Sequence, residues 1–306
     1  MQGTLLVTGG RGFLGRAVAR HFKQHGWRVV GIGHGDWTPE QARAHGFDAW
    51  TRAEVCAAAL AALPGTFDVV AHCAANGSVG YSLTHPLEAF RLTVQSTAEL
   101  LEHLRRTSPA ARVVYPSSAA VYGAAEDRPL VETDRPNPVS PYGWHKKMVE
   151  DLLACHASQF GMRVSIVRFF SIYGPGLAKQ LLWDAAAKMR SGQRSVTFWG
   201  TGEETRDWIH VDDAAALVAA VCERDEPMLL VNGAAGARVT VAAALRLLRD
   251  ALGADVDIGF NGAVKPGDPR HYHADVTRAL ALGWRPAVPL DRGFAGYVDW
   301  LRSAAP

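Results

Sequence analysis

Thr4-Leu5-Leu6-Val7-Thr8-Gly9-Gly10-Arg11-Gly12-Phe13-Leu14-Gly15 is a short apolar run that breaks directly into four glycines. Beyond it, Arg16 to Gln24 has helical periodicity, and Gly26 closes the segment. The order is strand, glycine turn, helix, with no spacer. Glycines in that context make a tight turn, let the backbone approach a pyrophosphate and let the helix pack on the strand, while the helix's free N–H groups face the anion. The stretch reads as a dinucleotide phosphate site held by Gly9, Gly12, Phe13, Leu14 and Gly15.

Val29 to Gly33 is the second strand, and its end lacks the acidic residue that bonds a ribose 2′-hydroxyl in such sites. Gly33-His34 stands there instead. Without a carboxylate to repel it a 2′-phosphate is admissible, and Arg11 or His34 can meet its charge. The cofactor expected is therefore NADP(H), with NAD as the alternative if Asp36 folds back to the ribose. Phe47 to Thr51 is too short and irregular to assign.

Strands follow at Asp68–Ala71, Arg112–Ser117 and Arg163–Phe169, alternating with helices at Leu87–Arg106 and up to Phe160. Such repetition implies an α/β fold with a doubly wound parallel sheet and a site at the carboxyl ends of its strands. After Tyr173-Gly174-Pro175-Gly176 the elements shorten: helices over 180–191 and 241–252, strands near 196–199 and 256–260, and two closing helices. Arg206 to His210 runs to Asp212, read as an N-cap, and Leu229–Asn232 can rejoin the main sheet. Residues 1–174 are thus expected to form the dinucleotide-binding domain, rejoined by about 207–233, and 175–306 a smaller mixed α/β substrate lobe packed on it.

The 306 residues are 48% hydrophobic and 20% charged, with a net charge of +2 and no block of like charge. This composition points away from nucleic acid and membrane surfaces. Cys56, Cys73, Cys155 and Cys222 show no paired spacing and read as reduced thiols of a cytoplasmic protein.

Tyr142 and Lys146 are four residues apart and share one helix face. Ser140 and Pro141 read as N-cap and first helical residue, leaving the phenol near the helix's exposed start. An ammonium beside it is expected to draw the phenol's pKa down toward working pH, as a general acid/base requires.

Seven motifs then occur in a fixed order: Thr8 to Gly15, His72-Cys73-Ala74-Ala75, Ser117-Ser118 to Gly123, Tyr142-x-x-x-Lys146, Arg168 to Pro175, Arg206 to Asp213, and Pro266 to Pro269. In that order they resemble the extended short-chain dehydrogenases that act on nucleotide sugars, a Rossmann-fold family, from Thr4 to about Trp284. The resemblance implies Ser118, Tyr142 and Lys146 as catalytic residues: a hydroxyl on the reacting sugar oxygen, a proton donor or acceptor, and a cation on the nicotinamide ribose. It adds Ala74 at the cofactor and Ser78, Ser117, Ser118, Arg206 and Lys265 at the substrate, with Arg206 gripping the pyrophosphate. Ala119-Ala120 occupy the places of the acid pair that dehydratases use, and Thr93 that of a usual asparagine.

His271-x-His273 with Asp275 lacks a second ligand cluster, so no metal is expected. His145 points away from the Tyr142 face and reads as structural. Ser117 and Ser118 lack a nucleophile elbow. The leading reading is an NADP(H)-dependent reductase of a 4-keto, 6-deoxy nucleotide sugar. Next come a 4-epimerase that retains NAD, and a non-enzymatic nucleotide sensor. By resemblance a homodimer is expected through the helix from Leu87 and the Tyr142 helix, with Leu100, Leu101, Leu104, Met148 and Leu152 as apolar positions that suit such a contact or the protomer's own sheet equally.

Overall fold

The computed structural model describes residues 2–124, 127–263 and 270–303. In chain order, β1 (Thr4–Thr8), α1 (Phe13–Gln24), β2 (Arg28–Gly33), α2 (Pro39–Ala44), β3 (Ala49–Arg52), α3 (Ala57–Ala61) and β4 (Val69–His72) build the first half of a parallel sheet. Helices α4 (Val79–Thr84) and α5 (Pro86–Phe90) come next, then a wide π turn over Arg91–Gln95 and α6 (Ser96–Thr107). β5 (Arg112–Ser118), α7 (Pro141–Phe160) and β6 (Arg163–Phe169) continue the sheet. The rest comprises β7 (Ser171–Tyr173), α8 (Gln180–Met189), β8 (Ser195–Phe198), β9 (Thr205–His210), α9 (Val211–Cys222), β10 (Met228–Gly233), β11 (Arg238–Thr240), α10 (Val241–Leu252), β12 (Asp257–Phe260), α11 (Thr277–Ala281) and α12 (Leu290–Ser303).

The main sheet has seven parallel strands in the order β3-β2-β1-β4-β5-β6-β10. It is the doubly wound Rossmann arrangement: the order reverses at β1, so a crevice opens beyond the carboxyl ends of β1 and β4. Strand alternation divides the core. Leu5 and Val7 pack with Val18 and Phe22 of α1 and Leu217 of α9, whereas Leu6 packs with Leu100 and Leu101 of α6 and Val149 of α7 on the other face. Each such side chain, fully buried, contributes about 1.5–3 kcal/mol.

Within the 207–233 segment, α9 covers the main sheet and β10 pairs with β6, while β9 belongs to a separate sheet with β7 and β11. β8 and β12 form a third, two-stranded sheet. A second core of Leu182, Leu245, Leu248, Phe294, Tyr297 and Leu301 binds α8, α10 and α12 together.

Three readings need correction. Asp212 is not the cap of α9; His210 is, its Nδ1 accepting from the Asp212 N–H at 3.3 Å. The helix read from Leu87 is interrupted by the π turn, where Thr93 and Val94 are buried. Leu100, Leu101 and Leu104 are fully buried against the protomer's own sheet and offer nothing to a partner, because that helix faces the sheet with its leucine stripe. Phe47–Thr51, left unassigned, contains the start of edge strand β3.

Candidate active site

β1 delivers the chain to Gly9, whose φ of +63° and close backbone neighbours exclude a side chain: a β-carbon there would lie 2.7 Å from the Ala74 nitrogen. At Gly15 a β-carbon would sit 2.6 Å from the Gly9 carbonyl oxygen, so helix and turn pack at glycine distance. α1 starts at Gly12 with no side-chain cap and no acidic residue in its first turn. Its first N–H groups and positive dipole end are therefore available to an anion.

Around this helix start lies a cleft with two rooms. One, of about 680 Å³, is lined by Arg11, Gly33, His34, Glu54, Val55 and Ala74. The other, of about 600 Å³, is lined by Phe13, Leu14, Gly15, Ser118, Tyr142 and Lys146. Both reach Gly9, Gly12, Cys73, Asn76, Gly77 and Lys179. Two rooms joined at a glycine turn that a β-carbon would fill fit a dinucleotide lying across the turn by its pyrophosphate.

In the second room, Ser140 Oγ accepts from the Gly143 N–H at 3.2 Å and Pro141 opens α7. Tyr142 is tied by its N–H to Ser82 Oγ at 3.0 Å, and its side chain lines the room together with Ser118. Ser118, at the end of β5, also accepts from the Ala120 N–H at 3.2 Å. One turn after Tyr142, Lys146 donates to the Pro116 carbonyl at 2.8 Å and lies over the Tyr115 ring, 4.5 Å from its centre. The structure thus brings Ser118, Tyr142 and Lys146 together.

The expected electrostatics differ. Burial pushes the Tyr142 phenol up, opposed by the Ser118 hydrogen bond. Lys146 is 5.9 Å from the Tyr142 ring centre, and its own pKa is pushed down to about 8 by burial, which Cys73 and Glu150 oppose. Burial of both groups outweighs the spacing's effect, so the phenol is raised and not lowered as the spacing suggested.

Ser117 also departs from expectation. Its hydroxyl donates to Glu150 Oε1 at 2.6 Å on the buried side of β5. Glu150 is gripped by Arg168 at 3.0 and 2.7 Å, and Arg168 also donates to the Glu132 carbonyl. Tyr122 stacks under that guanidinium and donates to Asn232 at 2.6 Å. Residues 117 and 118 point to opposite faces of one strand, so only Ser118 faces the cleft with its side chain.

On the substrate side, Ser78 caps α4 through the Tyr81 N–H at 3.2 Å, and Asn76 bonds its backbone in both directions. Arg206 lines the second room and an adjoining cavity of about 980 Å³, which Phe198, Trp199 and Arg270 also line. Its guanidinium lies 5.9 Å from the Tyr272 ring centre. Lys265 falls outside the described residues. His145 is buried, edge-on to Phe90 at 5.7 Å. His271 accompanies Thr205 and Arg238, and Asp275 bonds the Thr277 N–H. Among the described residues no group of three His, Cys, Asp or Glu side chains is placed to hold a metal ion, and no helix is long and apolar enough to cross a membrane.

In the first room, no carboxylate stands at Gly33. Asp36 is held by Arg52 at 2.6 Å, both largely exposed. Arg11 lies over the Trp37 ring at 5.7 Å, so close above Gly35 that a β-carbon there would be 1.7 Å from Nη1. Glu54 and Val55 at the end of β3 were not singled out from sequence, because nothing in an edge strand's local pattern marks them. Lys179 was missed for the same reason; it reaches the Gly77 carbonyl across the cleft at 3.5 Å. The next residue, Gln180, has a φ of +69°, the one described non-glycine residue in that region.

The pattern of the NAD dependent epimerase/dehydratase family matches residues 5–231. The chain is 28% identical over 320 residues to the uncharacterized UDP-glucose epimerase YtcB of Bacillus subtilis, covering 98% of each. It is 29% identical over 307 residues to a dTDP-glucose 4,6-dehydratase of Streptomyces griseus, covering 97% of this chain and 93% of the other. The structure of MoeE5 with UDP-glucuronic acid and NAD is similar at a TM-score of 0.87 and 29% identity, over 99% of this chain and 100% of that one.

Proposed function

The chain belongs to the NAD dependent epimerase/dehydratase family, and on that premise we propose that it is a nucleotide-sugar 4-epimerase that retains its nicotinamide dinucleotide. The observation that carries this reading is the meeting of Ser118, Tyr142 and Lys146 in one room at the mouth of β5, with Lys146 held one helical turn behind Tyr142. A bound nicotinamide supplies hydride acceptance and return at the sugar carbon. In its phenolate form Tyr142 would take the proton of the C4 hydroxyl on the way to the ketone, becoming the phenol, and return it on the way back, while Ser118 holds the same oxygen. Ala119 and Ala120, not carboxyl groups, follow Ser118, so elimination has no acid and base there. The UDP-sugar epimerase names among similar proteins favour this reading over a reductase.

A second reading, reduction of a 4-keto nucleotide sugar by NADPH, rests on the first room: no carboxylate at Gly33, Asp36 engaged by Arg52, and Arg11 beside the β2 end. One experiment separates the two. The purified protein is analysed by mass for its retained dinucleotide, then given UDP-glucose, UDP-glucuronic acid and a 4-keto-6-deoxy nucleotide sugar. Appearance of C4 epimers without net change in nicotinamide absorbance is expected; stoichiometric NADPH consumption on the 4-keto sugar, without epimers, assigns the reductase.

The homodimer is proposed through a set that keeps Met148 and leaves out the buried leucines of α6. Leu83 of α4, Leu87 of α5, and Trp144 and Met148 of α7 are exposed, and the two short helices pack on α7. Such a patch fits a second copy of this chain across a two-fold axis. Trp144→Glu is expected to halve the mass seen by light scattering; a wild type that is monomeric at micromolar concentration rejects the dimer.

A further inference from the structure

The segment from Cys73 to Gly77 lies against both rooms, with Ala74 facing the first, and two of its backbone N–H groups lead into a buried hydrogen-bond network that meets at Thr93, one through its carbonyl and the other through its hydroxyl. Ala74 N–H donates to Thr8 Oγ1 at 3.1 Å, and that hydroxyl lies 2.7 Å from His72 Nδ1. His72 Nε2 lies 2.8 Å from Thr97 Oγ1, which donates to the Thr93 carbonyl at 2.5 Å. Asn76 N–H donates to Thr93 Oγ1 at 3.1 Å. The network leaves this segment at Ala74 and returns to it at Asn76. Thr8, His72, Thr93 and Thr97 are no more than 2% exposed, and none of them lines the cleft.

The proton directions follow from the partners. A carbonyl only accepts, so the Thr97 hydroxyl hydrogen belongs to Thr93, and Thr97 Oγ1 must accept from His72 Nε2–H. In a neutral ring Nδ1 is then an acceptor, and Thr8 donates to it while accepting from Ala74. From the Ala74 N–H to the Thr93 carbonyl each donor has one acceptor, which fixes a single tautomer and a single ring orientation. Burial, with Lys146 as the charged neighbour, pushes the His72 pKa down to about 3 and keeps the ring neutral. Thr93, standing where relatives of this resemblance carry an asparagine, lies inside the π turn and supplies both its hydroxyl and its carbonyl to the chain.

We propose that His72 is a positioning residue: as its Nε2–H tautomer it couples Thr8 to Thr97 and so holds the Ala74–Asn76 backbone in the shape that receives the dinucleotide. The proposal rests on the dinucleotide reading of the cleft. Its role is exerted through backbone, since the imidazole touches neither room.

The test uses Thr97→Val, which keeps shape but removes the acceptor for Nε2–H, and Thr97→Ser, which keeps the hydroxyl. Calorimetric titration of cofactor-free protein with NAD and, separately, NADP is expected to show Thr97→Val binding about tenfold more weakly, as for a buried donor left unpaired. Thr97→Ser should stay within about twofold. Unchanged affinity in Thr97→Val together with a lowered melting temperature would make the chain a fold support only and overturn the proposal. A wild type that binds neither dinucleotide rejects the cleft reading itself. Should Thr97→Val not fold, nitrogen NMR of histidine-labelled wild type decides: an Nε2–H ring is expected from about pH 8 to about 5, and an Nδ1–H or imidazolium ring for His72 overturns the proposal.

Discussion

The two rooms of the cleft are built on opposite principles. The catalytic room is floored by buried groups with fixed partners: Lys146 on Pro116, Ser117 on Glu150, Glu150 on Arg168. The room at the β2 end has exposed, water-screened groups in and beside it: Arg11 in its lining, over Trp37, and the Asp36–Arg52 pair close to the end of β2. Charges in the first are held by burial and cannot move without large cost, whereas those in the second interact weakly and can be re-paired. Reaction chemistry is therefore written more firmly into this molecule than cofactor identity.

The largest effect should come from behind the catalytic strand. Arg168→Ala leaves the Glu150 carboxylate buried without its cation, and a loss of about 3–5 kcal/mol in denaturant unfolding is expected. A loss under about 1 kcal/mol would show that the catalytic room is no better fixed than the other. Next, Tyr142→Phe removes the phenolic proton but not the helix, so turnover should fall at least ~100-fold while dinucleotide affinity stays near wild type. Turnover close to normal would remove Tyr142 from the chemistry.

In the exposed room, Arg11→Ala should weaken NADP binding about tenfold and leave NAD nearly unchanged. Equal losses for both would assign Arg11 to the shared pyrophosphate. A smaller change is expected with pH. Lys146 is charged below about 8 and neutral above it, so dinucleotide affinity of the cofactor-free protein should decline a few-fold as pH rises through that value. Lys146→Arg should abolish the decline, and a decline that persists belongs to another group. The smallest effect belongs to Asp36→Asn, which breaks an exposed pair and should change stability by less than ~1 kcal/mol. A loss of several kcal/mol there would erase the contrast between the rooms.

The elements around the site were legible where local pattern carries them. β1, β6 and α10 run as their apolar spacing indicates, and Ser140-Pro141 caps α7 as read. What failed had no local signal. Ser117 and Ser118 are adjacent identical residues, and only the register of β5 between β4 and β6 tells which hydroxyl meets Tyr142 and which meets Glu150. Leu100, Leu101 and Leu104 were equally suited to a partner or to the sheet, and packing sent them to the sheet.

The sequence alone determined that strand, glycine turn and helix are contiguous, and that Tyr142 and Lys146 share a helix face, because backbone sterics and helical periodicity act over a few residues. Only the tertiary structure decided that burial raises the Tyr142 phenol and lowers Lys146, that Asp36 is engaged by Arg52, and that His72 joins Thr8 to Thr97. Those outcomes depend on side chains from distant segments meeting in a buried, low-dielectric interior, where partner and distance set the energy and neither is encoded by neighbours in the chain.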